Sequence, residues 1–165
     1  MRVTVILNSL REPTLPIPIE EIAMMRGLKV IPYPLGEDVS GLLSIEKNGQ
    51  GTIGYNQDEP KVRRRFTVAH ELGHYELHKE QSHLFIDKQF IYRSLNSKNT
   101  PVNQVMEVEA NTFASAILMP TELVRQEIGH RQIDLANEEV IKDLAGKFEV
   151  SVFAMSIRLK DLGFL

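Results

Sequence analysis

Phe66-Thr67-Val68-Ala69-His70-Glu71-Leu72-Gly73-His74-Tyr75-Glu76-Leu77-His78 is the stretch on which the reading of this chain turns. Phe66, Val68 and Ala69 precede the histidine pair, Leu72, Tyr75 and Leu77 are interspersed with it, and no proline interrupts the run. The natural reading is a partly buried helix. On a helix His70 and His74 lie one turn apart on one face, with Cβ atoms about 5–6 Å from each other. Two imidazoles so placed can hold one ion. Neutral imidazole nitrogen binds Zn²⁺ at about 2.0–2.1 Å, and a catalytic zinc normally takes three protein ligands and leaves the fourth position to water. Glu71, between the two histidines, is then the candidate catalytic base for that water.

His-Glu-x-x-His arises by chance in roughly one chain in a hundred of this length and composition, so its surroundings must carry part of the argument. Gly73 costs about 1 kcal/mol in a helix interior relative to alanine, which points to a close-packing role. His78 continues the one-turn spacing but lies about 12 Å along the axis from His70, too far to reach the same ion. It is read as a packing, capping or supporting residue. The positions of a longer glycine-histidine extension hold Leu77 and Glu80, so the third ligand must come from another element.

That element is the run from Gln104 to Met119, apolar at helical spacing through Met106, Ala110, Phe113, Ala114 and Ile117 and closed by Pro120. Glu107 and Glu109 both compete for the ligand position. With Ala110 at the centre of the buried face, Glu107 falls about 60° to one side and Glu109 about 100° to the other. Glu107 is the better placed. Asn111, one turn further on the same side, suits a hydrogen bond that orients a ligand imidazole.

The rest of the chain bounds the chemistry. Its 165 residues allow one domain with a substantial core, organised as a helix and small sheet (1–60), metal-site helices (61–120) and carboxy-terminal helices (121–165). The net charge of −3 provides no general field for nucleic acid or acidic membranes. Without cysteines, only His, Asp and Glu remain to ligate a metal, and a reducing cytoplasm suits the composition. The apolar run Val3–Leu7 is too short for a signal peptide or a membrane span.

Residues 2–10 fit either strand or helix. Ile19, Ile22 and Ala23 before Gly27 predict a helix over about 18–26, and Leu28–Ile31 a strand ended by Pro32 and Pro34. Residues 41–46 and 52–56 flank Asn48-Gly49, a strong hairpin signal, and predict a small, mainly antiparallel sheet. The metal helix follows over about 62–78. Lys61, Arg63, Arg64 and Arg65 at its start oppose the macrodipole and read as a solvated or locally paired turn rather than an anion site. Residues 80–103, with Phe85, Ile86, Phe90, Ile91, Tyr92 and Leu95, read as a long irregular loop, either lid or connector. After Pro120, Thr121 caps a helix to about Ile128, Asn137 one to about Phe148 and Ser151 one to about Leu162. The fold class expected is α+β: a small sheet, a zincin-type active-site helix and a helical carboxy-terminal part.

In order along the chain, Pro18–Ala23, Arg65–His74, Glu107–Ala114 and Leu118-Met119-Pro120, with Leu144-Ala145, Val150-Ser151 and Arg158-Leu159 beyond, resemble the ImmA/IrrE family of gluzincin-like zinc metallopeptidases. The resemblance implies one Zn²⁺ per chain held by His70, His74 and Glu107, with Glu71 as the catalytic residue. It also implies a cytoplasmic endopeptidase that relieves repression by cleaving a helix-turn-helix repressor, in a mobile element or a stress-response locus. Oxyanion stabilisation calls for a further donor, for which Tyr55, Tyr75, Tyr92 and His83 are candidates. Strand 52–56, directly before the metal helix, is expected to form the cleft rim and pair with an extended substrate.

A different class must be weighed: a non-proteolytic transcription regulator or repressor-binding protein using its carboxy-terminal helices. From Glu138 to Leu165 there are four Lys/Arg against five Asp/Glu, so these helices offer no basic face to DNA. Packing on the catalytic core or docking of the substrate is the favoured role. The oligomeric state is left open.

Overall fold

A tight turn at Asn48-Gly49 organises the sheet. Glu46 N–H donates to Gln50 O and Gly49 N–H to Glu46 O, both at 2.8 Å, while Asn48 Oδ1 accepts from Gln50 N. Gly49 takes φ 85°, open to glycine and disfavoured for other residues. The turn joins β2 (Val39–Ile45) to β3 (Gly51–Asn56) in the expected antiparallel hairpin.

The computed structural model describes residues 2–10, 14–36, 38–88, 101–129 and 138–165. The remaining elements are α1 (Arg2–Asn8), α2 (Ile19–Met25), β1 (Leu28–Tyr33), α3 (Lys61–His78), β4 (Leu84–Lys88), α4 (Pro101–Leu118), α5 (Thr121–Ile128), α6 (Glu138–Phe148) and α7 (Val152–Asp161). They form an α+β protein. The chain divides into two compact units, one of Ile19–Ala114 and one of Met1–Pro18 with Ser115–Leu165.

In the first unit the strand order is β1-β3-β2-β4, with β1 parallel to β3 and the other two pairings antiparallel. Three expectations change here. Strand 52–56 is not a rim, because β1 and β2 flank it and use both of its hydrogen-bonding sides. Pro32 does not end β1 but lies within it, opposite Tyr55, as proline can in an edge strand with a single ladder partner. The supposed loop after α3 contains a strand, β4, which pairs with β2 through Leu42↔Ile86 and Leu43↔Phe85. Phe90, Ile91, Tyr92 and Leu95 lie outside the described residues.

α3 packs along β2 and β3. A Cβ at Gly41 would overlap the Thr67 methyl group, so the missing side chain on β2 lets the helix lie close over the sheet. The helix is also tied to the turn after α2: Arg26 Nε and Nη2 donate to the two Glu76 carboxylate oxygens at 2.6 and 3.3 Å, a paired geometry that restricts both side chains.

The second unit is helical among the described residues. Of residues 2–10, open between strand and helix in the sequence, Arg2–Asn8 form α1 and bury Ile6. α6 buries Ile141, Leu144, Ala145 and Phe148, a one-faced apolar stripe, and α7 buries Met155 and Leu159. Ser151 caps α7 as expected, its hydroxyl accepting from Ala154 N at 3.1 Å. Thr121 does not cap α5. It is the first helical residue, Pro120 holds the cap position, and the Thr121 hydroxyl accepts from Arg158 Nη2 at 3.2 Å. Asn137, expected as the cap of α6, lies outside the described residues. Among the described residues no helix is long and apolar enough to cross a membrane.

Candidate metal centre

On α3 the one-turn spacing brings His70 Nε2 and His74 Nε2 to 3.0 Å from each other. Glu107 on α4 reaches both rings, with Oε2 3.3 Å from His70 Nε2 and Oε1 3.3 Å from His74 Nε2. One ligand atom from each of the three residues lies within 4.8 Å of the others, a group that could hold a metal ion. Glu109 turns elsewhere: its Oε2 lies 2.9 Å from His78 Nε2, one helical turn further along α3.

Gly73 is what allows the two helices to meet at this depth. A Cβ there would stand 3.2 Å from the Ala110 Cα, the Ala110 carbonyl oxygen and the Phe113 ring. Glycine therefore permits a close backbone approach one residue before His74 and three after Glu107. The outer ring nitrogens are held as well. Asn111 Oδ1 lies 3.0 Å from His70 Nδ1, and His78 Nδ1 lies 3.2 Å from His74 Nδ1. Phe85 of β4 stacks on the His74 ring at a centroid distance of 4.5 Å.

Glu71 is fully buried, and neither of its carboxylate oxygens has a hydrogen-bond partner among the described residues. Such a group is expensive to bury and is rare without a functional reason. Burial pushes its pKa well above the usual carboxylate range, and the nearby charges of Asp87 and Glu107 push it the same way. Burial also lowers the pKa of His74, against a hydrogen bond to Glu107 that works the other way. For Glu107 burial acts upward, but the hydrogen bonds and charges of His70 and His74 outweigh it and bring the carboxyl to about 2. A neutral imidazole beside an ionised carboxylate is the state in which these groups ligate a cation, so the donor set fits a metal ion.

The basic turn at the start of α3 is locally paired. Arg63 lies 3.6 Å from Asp87, 3.9 Å from Glu59 and within hydrogen-bond reach of Ser40 Oγ, and Arg64 stands over the Tyr55 ring. Of the donors considered for an oxyanion, Tyr55 and Tyr75 have Arg64 and Lys79 over their ring faces, contacts that do not use the hydroxyls, His83 is exposed and Tyr92 lies outside the described residues. In the sequence Phe85 reads only as part of a loop and Asp87 is not singled out, because a five-residue strand carries too little alternation to announce itself.

A buried glutamate beside a His-His-Glu cluster, carried by one helix and completed by another, is the arrangement of metal-dependent hydrolases. The chain belongs to the family Peptidase_M78, described as IrrE N-terminal-like domain, which matches residues 23–160. It is 25% identical over 144 residues to the metallopeptidase ImmA of Bacillus subtilis (strain 168), a match covering 87% of this chain and 75% of that protein. It is also 32% identical over 106 residues to the uncharacterized immunity region protein 2 of Bacillus phage phi105, covering 64% of this chain and 61% of the phage protein.

Proposed function

We propose that this protein is a cytoplasmic zinc-dependent endopeptidase whose substrate is a protein, specifically a helix-turn-helix transcriptional repressor that it cleaves to relieve repression. The observation that carries the reading is the buried, unpartnered Glu71 carboxyl beside the His70, His74 and Glu107 cluster. In this reading those three residues hold one Zn²⁺, which when bound supplies Lewis acidity for a carbonyl oxygen and for water.

The remaining work falls to the chain itself. Glu71 takes the proton of the attacking water and returns it to the departing amine nitrogen. Its desolvated surroundings raise its proton affinity toward that required of a general base near neutral pH. Asn111, through its contact with His70 Nδ1, keeps Nε2 turned inward. β4 takes the role first assigned to strand 52–56: among the described residues it pairs only with β2, so its other side offers backbone groups to an extended peptide next to Phe85 and His74. The family and the name of ImmA support the peptidase part of this reading, the name of the phage relative supports a setting in an immunity region, and the repressor is what the family resemblance implies as the substrate.

The test is incubation of the purified protein with the proteins encoded by the genes flanking its own, any helix-turn-helix protein first, followed by mass spectrometry of the products. Two new termini are expected with zinc present and none after chelation or in Glu71→Gln. Binding of an intact repressor without cleavage would replace the peptidase reading with sequestration, and salt-dependent DNA binding unaffected by Glu71→Gln would replace it with a DNA-binding regulator.

A further inference from the structure

The two histidines of the cluster are supported differently. His70 leans on a neutral amide, Asn111. His74 leans on a second imidazole, His78, which itself leans on a carboxylate, Glu109. His78 is 2% exposed at its side chain and occupies the last turn of α3, where an apolar side chain would fill the same space without two ring nitrogens to satisfy. Both nitrogens are in fact engaged, and in a single direction.

We propose that His78 and Glu109 are positioning residues for the metal centre, forming a relay from Glu109 through His78 to His74 that fixes the orientation and donor strength of the His74 ring. The chain of contacts admits one arrangement when His74 Nε2 serves as a ligand. His74 Nδ1 carries its hydrogen and donates to His78 Nδ1, at 3.2 Å. That leaves the hydrogen of His78 on Nε2, from which it donates to Glu109 Oε2 at 2.9 Å. The carboxylate thereby polarises two imidazoles in series, making His74 the stronger donor of the pair. Phe85 stacks on the His74 ring and stands 6.5 Å from that of His78, so an aromatic wall on β4 flanks both rings.

This inference rests on the metal-centre reading above, and the experiment separates the two. Zinc affinity of the full-length, metal-stripped protein is measured by competition with a chromophoric chelator, for wild type, Glu109→Ala, Glu109→Gln, His78→Phe and the double variant His78→Phe/Glu109→Ala. The Co²⁺-loaded proteins are compared by the exchangeable ring N–H resonances of the ligand histidines. Glu109→Ala is expected to weaken zinc binding about 10–100-fold. Glu109→Gln should recover most of that loss, since its amide oxygen still accepts from His78. The double variant should bind no more weakly than His78→Phe alone, because members of one relay are not additive. The ring N–H signal of His74 should broaden by faster exchange in Glu109→Ala, while that of His70 persists. Glu109 is 55% exposed at its side chain, so its variants test the relay even where His78→Phe does not fold. Folded variants that bind zinc within twofold of wild type, with both ring signals intact, would overturn the relay and leave the metal centre standing. A wild-type protein that binds neither ion would overturn both.

Discussion

α3 and α6 are both amphipathic helices packed inside their own units, yet they bury opposite kinds of residue. α6 turns Ile141, Leu144, Ala145 and Phe148 inward. α3 buries Val68, Ala69 and Leu72 together with Thr67, His70, Glu71, His74, Glu76 and His78. One helix follows the ordinary economy of a core, in which apolar area leaves water at a gain of about 25 cal/mol per Å². The other carries polar groups into the interior, where each must be paired or costs free energy. Most are paired: Glu76 with Arg26, His70 with Asn111, His78 with Glu109. The Thr67 hydroxyl and both Glu71 oxygens have no such partner among the described residues, and of these the carboxyl is the costlier to bury. The difference separates a helix kept for stability from one that sacrifices stability for chemistry.

The sharpest way to break that contrast is at Glu71. Glu71→Gln should lower kcat by about 10²–10⁴-fold, the usual contribution of a general base. It should leave the thermal midpoint of the metal-free protein at neutral pH unchanged or raised, because the amide cannot ionise and so lacks the penalty of holding a carboxyl of raised pKa in the interior. Retained cleavage, or a large loss of stability, would make α3 an ordinary structural helix.

Phe148→Ala is the converse. It should cost about 3–5 kcal/mol in urea denaturation, as expected for a fully buried aromatic ring, with zinc affinity of the folded fraction unchanged. A parallel loss of metal affinity would show that α6 serves the site as well as its core.

Gly73→Ala probes the boundary between the two roles. The new methyl would meet the Ala110 backbone at 3.2 Å, and overpacking of this kind costs about 1–3 kcal/mol, partly offset by about 1 kcal/mol of helix propensity. A lower melting midpoint together with weaker zinc binding is expected. If only the midpoint moved, the close approach of α3 and α4 would matter for packing and not for ligation. The smallest effect belongs to Ser151→Ala, about 1 kcal/mol from loss of the cap on α7, measured by the same denaturation and without consequence for cleavage.

These contrasts also show which features could be read in advance. The α3 helix was legible because its signal is local: spacing along thirteen residues places both histidines on one face whatever surrounds them. The hairpin at Asn48-Gly49 was legible for the same reason. The choice between Glu107 and Glu109 was only half legible. Helical geometry put both near the edge of the buried face of α4, and the contact of Gly73 with Ala110 sets the rotation that brings Glu107 to the rings and Glu109 to His78. Strand 52–56 was correctly read as a strand and wrongly placed at the rim, since a neighbour from elsewhere in the chain, β1, occupies that side.

The sequence by itself determined the reactive groups, the helix that carries them and the apolar faces that bury it, because hydrophobic period, caps and turn residues act over a few neighbouring positions. Only the tertiary structure decided which carboxylate meets the imidazoles, which strand lies beside them, and that Glu71 is enclosed without a partner among the described residues. Those outcomes depend on contacts between segments tens of residues apart, and packing resolves them only when the whole unit has closed.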